Sequence, residues 1–243
     1  MIGLADPGLS VLGAFRQACR FCSLNELCWP IGLNLAELRR LQSIVRHTTS
    51  LSPGSHLFRV GDRSTAIYAL RSGCIKCYSL DAGGHELVYG FHVRGEFLGF
   101  DAVYPDRHRC NAIVLETCSA CVVPYFDIDR IGREFPGVHS HVLQLMSRGF
   151  SRHLTQCEGI GATQRIAAFL LDICSRLQQP GNIEYEFKLP MSREDIASYV
   201  AVSPETLSRL LAKLSKKKLI CVDRRRIRLV DPQRLDLIAQ GVG

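Results

Sequence analysis

The sequence lacks the features that mark membrane proteins, exported proteins and several kinds of enzyme. No apolar run approaches the roughly 20 residues that a membrane-spanning helix needs, and the first residues lack the apolar core of a signal peptide. No nucleophile–base constellation or phosphate-binding glycine loop emerges, and Gly83-Gly84 marks only a turn. Internal repeats and low-complexity segments are also missing. We therefore expect a cytoplasmic protein, without a membrane partner, that is not an enzyme.

Length and composition describe a globular chain with an unusual cysteine content. With 243 residues, 47% of them hydrophobic and 22% charged, the chain can form two modest domains with real cores. Eleven cysteines are many for a reducing compartment, and the count is odd. In that setting cysteines serve as metal ligands or as small buried apolar residues more often than as a disulfide framework.

The stretch 191–230 predicts two short helices joined by a tight turn. Ser192 and Ser203 are good N-caps, and Pro204 fits the first position of the second helix. An apolar stripe recurs at helical spacing in that helix, formed by Leu207, Leu210, Leu211 and Leu214. The opposite face then exposes Glu205, Ser208, Arg209 and either Ala212 or Lys213. Two helices at this spacing form a helix-turn-helix, whose second helix enters the DNA major groove.

The charge distribution points to the same stretch. Between Pro204 and Val230 there are nine Lys or Arg residues and only two acidic residues, Glu205 and Asp223. Nine less two leaves a surplus of seven positive charges, which equals the net charge of +7 of the whole chain. The segments LICVD and RIRLV around Arg224-Arg225 resemble a two-stranded wing. An ordinary solvated helical hairpin is the alternative. A positive surplus gathered on one small module favours a phosphate-binding surface instead.

The middle of the chain has a different pattern. From Leu51 to Tyr125, short apolar runs alternate with turn signals every eight to twelve residues, which predicts an antiparallel sandwich or barrel. Asp81 to His85 forms the tip of a predicted hairpin. A helical pattern follows from Val138 to about Cys157, and another from Thr163 to Leu177.

Three cysteines crowd near the beginning of the chain. Cys19, Cys22 and Cys28 have the spacing C-x2-C-x5-C, and three thiols within ten residues could converge on one metal centre. They are one short of a four-thiolate site, so a fourth ligand should come from elsewhere. Cys74 and Cys77 form a second C-x2-C in a predicted strand, where they would point to opposite faces, so we interpret them as structural.

These elements, in this order, resemble the CRP/FNR family of bacterial transcription regulators, and the three early cysteines resemble its FNR branch. The resemblance covers nearly the whole chain and includes Tyr68 to Gly73, Gly90 to His92 and Gly95 to Asp101. It implies an α+β fold: an antiparallel β-roll of the cyclic-nucleotide-binding, jelly-roll type, a long dimerisation helix and a C-terminal winged helix-turn-helix. The implied divisions are a cysteine-rich loop (1–30), the β-roll sensor domain (31–135), the dimerisation helix (136–158) and the DNA-binding domain (159–243).

The resemblance also implies a cofactor and its ligands. In the FNR branch a [4Fe–4S] cluster senses oxygen, and its fourth ligand lies in a strand shortly after a Leu-Glu-Thr. Here Leu115 to Thr117 is followed by Cys118 and Cys121, and the spacing to Val123-Pro124 favours Cys121. The implied cluster and metal ligands are therefore Cys19, Cys22, Cys28 and Cys121, with Cys118 as the second choice.

The implied partners are double-stranded DNA, RNA polymerase and a second copy of the chain. Residues implied to bind a palindromic TTGAT-like operator are Ser203, Glu205, Thr206, Ser208, Arg209, Lys213 and Arg225. No cyclic nucleotide is expected, since Asn111 and Ala112 stand where the cyclic-nucleotide branch has an Arg-Ser pair. The expected function is an oxygen-responsive regulator, an activator among other roles, of anaerobic metabolism. Two alternatives remain: a regulator that senses heme or thiol redox state without a cluster, and a protein in which the thiols bind structural zinc.

Overall fold

A computed structural model of the chain describes residues 45–47, 50–104, 106–134, 140, 142–147, 149, 161–177 and 185–242. The first described part is a six-stranded antiparallel sheet with the strand path β1-β6-β3-β4. Two shorter strands join this path, β2 beside β6 and β5 beside β3. The strands are β1 (Arg46–His47), β2 (His56–Phe58), β3 (Ala66–Leu80), β4 (Glu86–Val93), β5 (Phe97–Leu98) and β6 (Asn111–Pro124).

The pairing of β3 with β6 forms the centre of this roll. Ala66 lies opposite Pro124 at one end of the pair, and Tyr78 lies opposite Asn111 at the other. The interior beneath it is filled by apolar side chains, among them Leu70, Ile75, Val114 and Cys118. A short helix α1 (Tyr125–Glu134) follows β6 directly, and residues 142–147 are again helical.

The second described part begins with the sixteen-residue helix α2 (Ala162–Leu177). The predicted pair of short helices is present as α3 (Arg193–Tyr199) and α4 (Pro204–Lys216). The two predicted wing strands are β8 (Ile220–Asp223) and β9 (Arg226–Leu229). A third strand, β7 (Glu186–Lys188), pairs with β9 and completes the sheet, and helix α5 (Pro232–Ala239) closes the described chain. Neither β7 nor α5 was predicted.

The two parts share one apolar core. It combines β4 residues such as Phe91 and Val93 with Phe169 and Ile173 of α2 and with Ile196 of α3. A helix-turn-helix of this size buries little apolar surface alone, so α2 and the roll supply much of its support. Among the described residues, no helix is both long and apolar enough to cross a bilayer.

Gly73 allows β3 and β6 to approach closely. Its φ is +81°, and an added Cβ would lie 2.6 Å from both Cys118 Cβ and the Thr117 carbonyl oxygen. Gly54 has a similar φ of +83°, but nothing lies within 4 Å of an added Cβ there. The two glycines therefore share a left-handed backbone and differ in the space around them.

Gly73→Ala is expected to destabilise the roll by roughly 2–4 kcal/mol, since it combines backbone strain with a collision against the β6 main chain. Gly54→Ala should lower the stability by only about 1 kcal/mol, because the left-handed backbone strains an alanine there but the added Cβ collides with nothing. Guanidinium unfolding followed by circular dichroism measures both values. Equal losses for the two variants would contradict the predicted collision.

Candidate nucleic-acid interface and sensor site

Helix α3 and the turn after it are held by local hydrogen bonds. Ser192 and Asp195 form a capping box: Ser192 Oγ accepts from Asp195 N at 3.0 Å, and Asp195 Oδ2 accepts from Ser192 N at 2.9 Å. The turn bends through Ala201, whose φ is +52°. Arg165 of α2 donates to the carbonyl oxygens of Val200 and Ala201 at 2.8 and 3.2 Å. These bonds fix the angle at which α4 leaves the turn.

Helix α4 begins where the sequence predicted. Ser203 is its N-cap and accepts from Thr206 N at 3.2 Å, and Pro204 occupies the first turn. Leu207, Leu211 and Leu214 are buried and Leu210 is half-buried, so the predicted apolar stripe does face the core.

The opposite side of α4 is open. Glu205, Ser208, Arg209 and Lys213 are exposed, Ser203 is exposed at the cap, and Thr206 is half-buried. Hydrogen bonds to the Glu205 carboxylate from its own backbone N–H and from Ser203 lower its pKa, so it is a charged acceptor at neutral pH. On this face the Arg209 guanidinium can donate to guanine, and the Glu205 carboxylate can accept from the amino group of cytosine. The Ser208 hydroxyl can form a hydrogen bond with either base.

The wing lies beside this helix and carries positive charge. Arg224 turns the β8–β9 hairpin with a φ of +52°, and Arg225, Arg226 and Arg228 are exposed. Arg193 at the start of α3 donates to the Arg224 carbonyl oxygen at 3.1 Å and so joins the first helix to the wing tip. Sequence reasoning missed Arg193; its position immediately after the N-cap Ser192 was the available signal.

Cys118 and Cys121 point to opposite sides of β6. Cys118 lies in the interior of the roll, and burial raises the pKa of its thiol. Cys121 is half-buried and packs against a separate group that includes Ile67 and Phe97. Its backbone lies opposite Ala69 of β3 and opposite His47 of β1.

The other three predicted ligands, Cys19, Cys22 and Cys28, lie outside the described residues. The chain that carries them enters the roll through Val45 and β1, and Val45 packs against the same apolar group as Cys121. Within the described ranges, no three Cys, His, Asp or Glu side chains gather in a way that could hold a metal ion. What the structure supplies is one half-buried thiol at the place where the N-terminal segment joins the sheet. Such a thiol suits an iron–sulfur ligand, which must be a thiolate.

Cys74 and Cys77 do not form a second metal site. Cys74 lies in the core shared by the two parts, whereas Cys77 lies inside the roll beside Cys110. Burial raises the pKa of the Cys74 thiol, and the contact with Cys110, together with burial, raises that of Cys77. Both thiols therefore stay protonated, as structural cysteines do.

Comparison with known proteins agrees with this geometry. The profile of the Crp-like helix-turn-helix domain matches residues 164–238, and that of the cyclic nucleotide-binding domain matches residues 48–134. The fumarate and nitrate reduction regulatory protein of Vibrio cholerae is 34% identical over 220 residues, covering 89% of this chain and 88% of that protein. The transcriptional activator protein Anr of Pseudomonas protegens is 33% identical over 234 residues, covering 95% of this chain and 96% of that protein. FixK2 from Bradyrhizobium japonicum shares the fold with a TM-score of 0.72 and 23% identity, over 80% of this chain and 97% of that structure.

The β-roll, the winged helix-turn-helix with its exposed recognition face and the regulators to which the chain is similar together define a DNA-binding transcription regulator, which is not an enzyme. The chain belongs to the CRP/FNR family, and its relatives place it in the FNR branch.

Ser203→Ala should destabilise the DNA-binding unit by about 1 kcal/mol, because Thr206 N loses its acceptor at the start of α4. Guanidinium unfolding measures the change. Ser208→Ala, in the middle of the same helix and exposed, serves as the matched control and should leave the stability unchanged within about 0.5 kcal/mol. A control that loses as much as Ser203→Ala would show that the cap is not the cause.

Proposed function

We propose that this protein is an oxygen-responsive transcription regulator of the FNR type. It acts in the cytoplasm and binds a palindromic, TTGAT-like operator as a homodimer while a [4Fe–4S] cluster is intact. The genes under its control serve anaerobic or low-oxygen metabolism, with activation among its actions. The observation that carries the DNA-binding part is the open row of Glu205, Ser208 and Arg209 on a capped helix beside a basic wing.

The proposed cluster ligands are Cys19, Cys22, Cys28 and Cys121. Support for Cys121 comes from its half-buried thiol and from its place opposite His47 of β1, the first described strand. Cys118 is a poorer candidate, because its side chain lies in the apolar interior and its pKa is raised by burial. A cluster bound by four thiolates would supply sensitivity to oxygen, since oxidant access governs its lifetime.

A second copy of the chain is proposed to pack along the dimerisation helix (136–158), of which residues 142–147 form the longest described stretch. Val142 and Leu145 of this segment pack inward on the roll. Leu143 and Met146 are on the other side, with 66% and 39% of their surfaces exposed. Apolar side chains left exposed at this spacing form a candidate helix–helix contact.

RNA polymerase is proposed to contact the tip of the β3–β4 hairpin, Asp81 to Glu86. The tip is exposed and its shape is fixed, since Asp81 Oδ1 accepts from Gly83 N and His85 N, each at 2.8 Å. Exposed Leu80 and Leu87 flank the turn and offer apolar contacts.

We expect no cyclic nucleotide partner, although a cyclic nucleotide-binding profile matches the roll. Asn111 is buried and its side-chain oxygen accepts from Val60 N at 3.1 Å. Ala112, next to it, is fully buried. Neither residue can offer the positive charge that would hold a cyclic phosphate.

Arg209→Ala is expected to weaken operator binding by about 1–3 kcal/mol and to relax specificity at the base pair that Arg209 contacts. Lys217→Ala should weaken binding to all sequences alike and reduce the salt dependence by about one counterion, because Lys217, exposed just beyond α4, is proposed to contact phosphate and not a base. Fluorescence anisotropy with TTGAT duplexes and single-base variants, at several salt concentrations, separates the two effects. Uniform weakening by Arg209→Ala would contradict a role in base reading.

Cys121→Ser should abolish iron and acid-labile sulfide in anaerobically purified protein, because it removes one of the four proposed thiolates. Cys118→Ala should retain both and lose stability instead, since Cys118 fills the interior of the roll. Iron and sulfide analysis before and after exposure to air, with a visible absorbance spectrum, measures the outcome. Wild-type protein with iron and a porphyrin absorbance but without acid-labile sulfide would favour heme sensing, and protein without iron or sulfide would favour thiol sensing. Colourless, air-stable protein containing zinc would favour a structural metal.

A further inference from the structure

The DNA-binding part rests on the β3–β4 side of the roll through a compact set of aromatic contacts. Phe91 of β4 meets Tyr199 of α3 with ring centroids 5.2 Å apart and Phe169 of α2 at 6.2 Å, and the last two rings are 5.6 Å apart. Three rings in tilted and edge contact hold the surfaces together. Apolar contact by itself tolerates sliding, so polar contacts must fix the relative orientation.

A buried ion pair crosses this boundary. Lys76 of β3 is 6% exposed, and its Nζ donates to Asp195 Oδ1 of α3 at 2.5 Å and also to Glu86 of β4. Asp195 is itself 9% exposed. Leaving either charge buried without its partner is costly, so this pair resists displacement.

Asp195 joins the ion pair to the geometry of α3. One carboxylate oxygen accepts from Lys76, and the other accepts from Ser192 N in the capping box. Three residues further on, Ser198 Oγ accepts from Val88 N at 3.0 Å and donates to the Glu86 carbonyl oxygen at 2.8 Å. Helix α3 is thus tied to the hairpin at two points one turn apart, which fixes its direction as well as its position.

The second helix of the boundary has its own clamp. Arg176 of α2 donates to both carboxylate oxygens of Glu96 at 2.8 Å and to the Phe91 carbonyl oxygen. Helix α2 therefore stays on the roll without help from Lys76, whereas α3 without the Lys76 contact would keep only one of its two polar ties to the hairpin, the one at Ser198.

Both partners of the ion pair are charged at neutral pH. Burial acts to lower the pKa of Lys76, but the hydrogen bonds to Asp195 and Glu86 outweigh it and the pKa is raised. Burial likewise acts to raise the pKa of Asp195, and the hydrogen bonds from Lys76 and Ser192 lower it instead. The contribution of the pair is lost only as pH falls below the usual carboxyl range or rises above the usual lysine range.

We propose that Lys76 is a positioning residue for operator binding: through Asp195 it fixes α3, and with it α4, on the roll in the orientation that leaves the recognition face open. Lys76 should strengthen operator binding and not weaken it, because Glu205, Ser208 and Arg209 are exposed in the docked arrangement that Lys76 stabilises. The assignment rests on the DNA-binding function proposed above and concerns a residue that touches no DNA.

The test uses the full chain, purified anaerobically, as wild type, Lys76→Met, Lys76→Arg and Lys188→Met. Lys188→Met is the matched control: Lys188 also faces a carboxylate across the boundary, Glu116 at 4.0 Å, but its side chain is 64% exposed. Operator affinity is measured by fluorescence anisotropy. Docking is measured by hydrogen exchange of the peptide 86–91, which contains the Val88 amide bonded to Ser198.

Lys76→Met is expected to weaken operator binding roughly tenfold or more and to speed exchange of the Val88 amide, with unchanged helix content by circular dichroism. Lys76→Arg keeps a charged donor and should recover most of the affinity and protection, and Lys188→Met should match wild type within about threefold. Wild-type affinity in Lys76→Met, failure of Lys76→Arg to recover any of the loss, or weakened binding with Val88 still protected would overturn the assignment. If wild type binds no operator, the proposed function fails, and exchange of Val88 alone still decides whether Lys76 sets the docking.

Discussion

The antiparallel ladder between β3 and β6 is the interaction on which the rest of the structure depends. Near one end of the ladder, Ala69 of β3 lies opposite Cys121 of β6. On its other side, Cys121 lies opposite His47 of β1, the first described strand. Seven residues further along β3, roughly 23 Å at ordinary strand rise, Lys76 reaches α3, the first helix of the helix-turn-helix. Strand β3 therefore lies beside the candidate sensor thiol, Cys121, and also contains Lys76, which supports the helix-turn-helix.

The shared core explains why the two parts form one arrangement. Helix α2 contributes buried residues both toward β4 and toward the helix-turn-helix, so the DNA-binding part completes its apolar core against the roll, which also has an interior of its own. Specificity of orientation comes from few polar groups, because burial is non-directional whereas a charge-assisted hydrogen bond has a defined geometry. Two carboxylates accept such bonds across the boundary. Glu96 of the roll accepts from Arg176 of α2, and Asp195 of α3 accepts from Lys76 of the roll.

Local signals made the DNA-binding unit predictable. Both N-caps, the proline after the second, the leucine stripe of α4 and the wing strands β8 and β9 lie where the sequence placed them, because each depends on neighbours within a few residues. The three-residue strand β7 carries too short a pattern to be seen, and it exists only through its pairing with β9. The ion pair between Lys76 and Asp195 joins residues 119 positions apart, so no local pattern reveals it. Its one trace in the sequence is a lysine placed between two apolar residues, Ile75 and Cys77, which are both buried.

The surroundings of the cysteines narrow the chemistry open to each of them. Cys74, Cys77 and Cys118 are buried with raised pKa values, and burial raises the pKa of Cys174 to about 11. A thiol that stays protonated is a weak nucleophile and a weak metal ligand, so these four act as packing residues. Cys121 differs in being half-buried and in lying where a separate segment of the chain meets the sheet. The sheet holds the backbone of Cys121 still while its thiol keeps some exposure, and a ligand of the proposed cluster would need both access and rigidity.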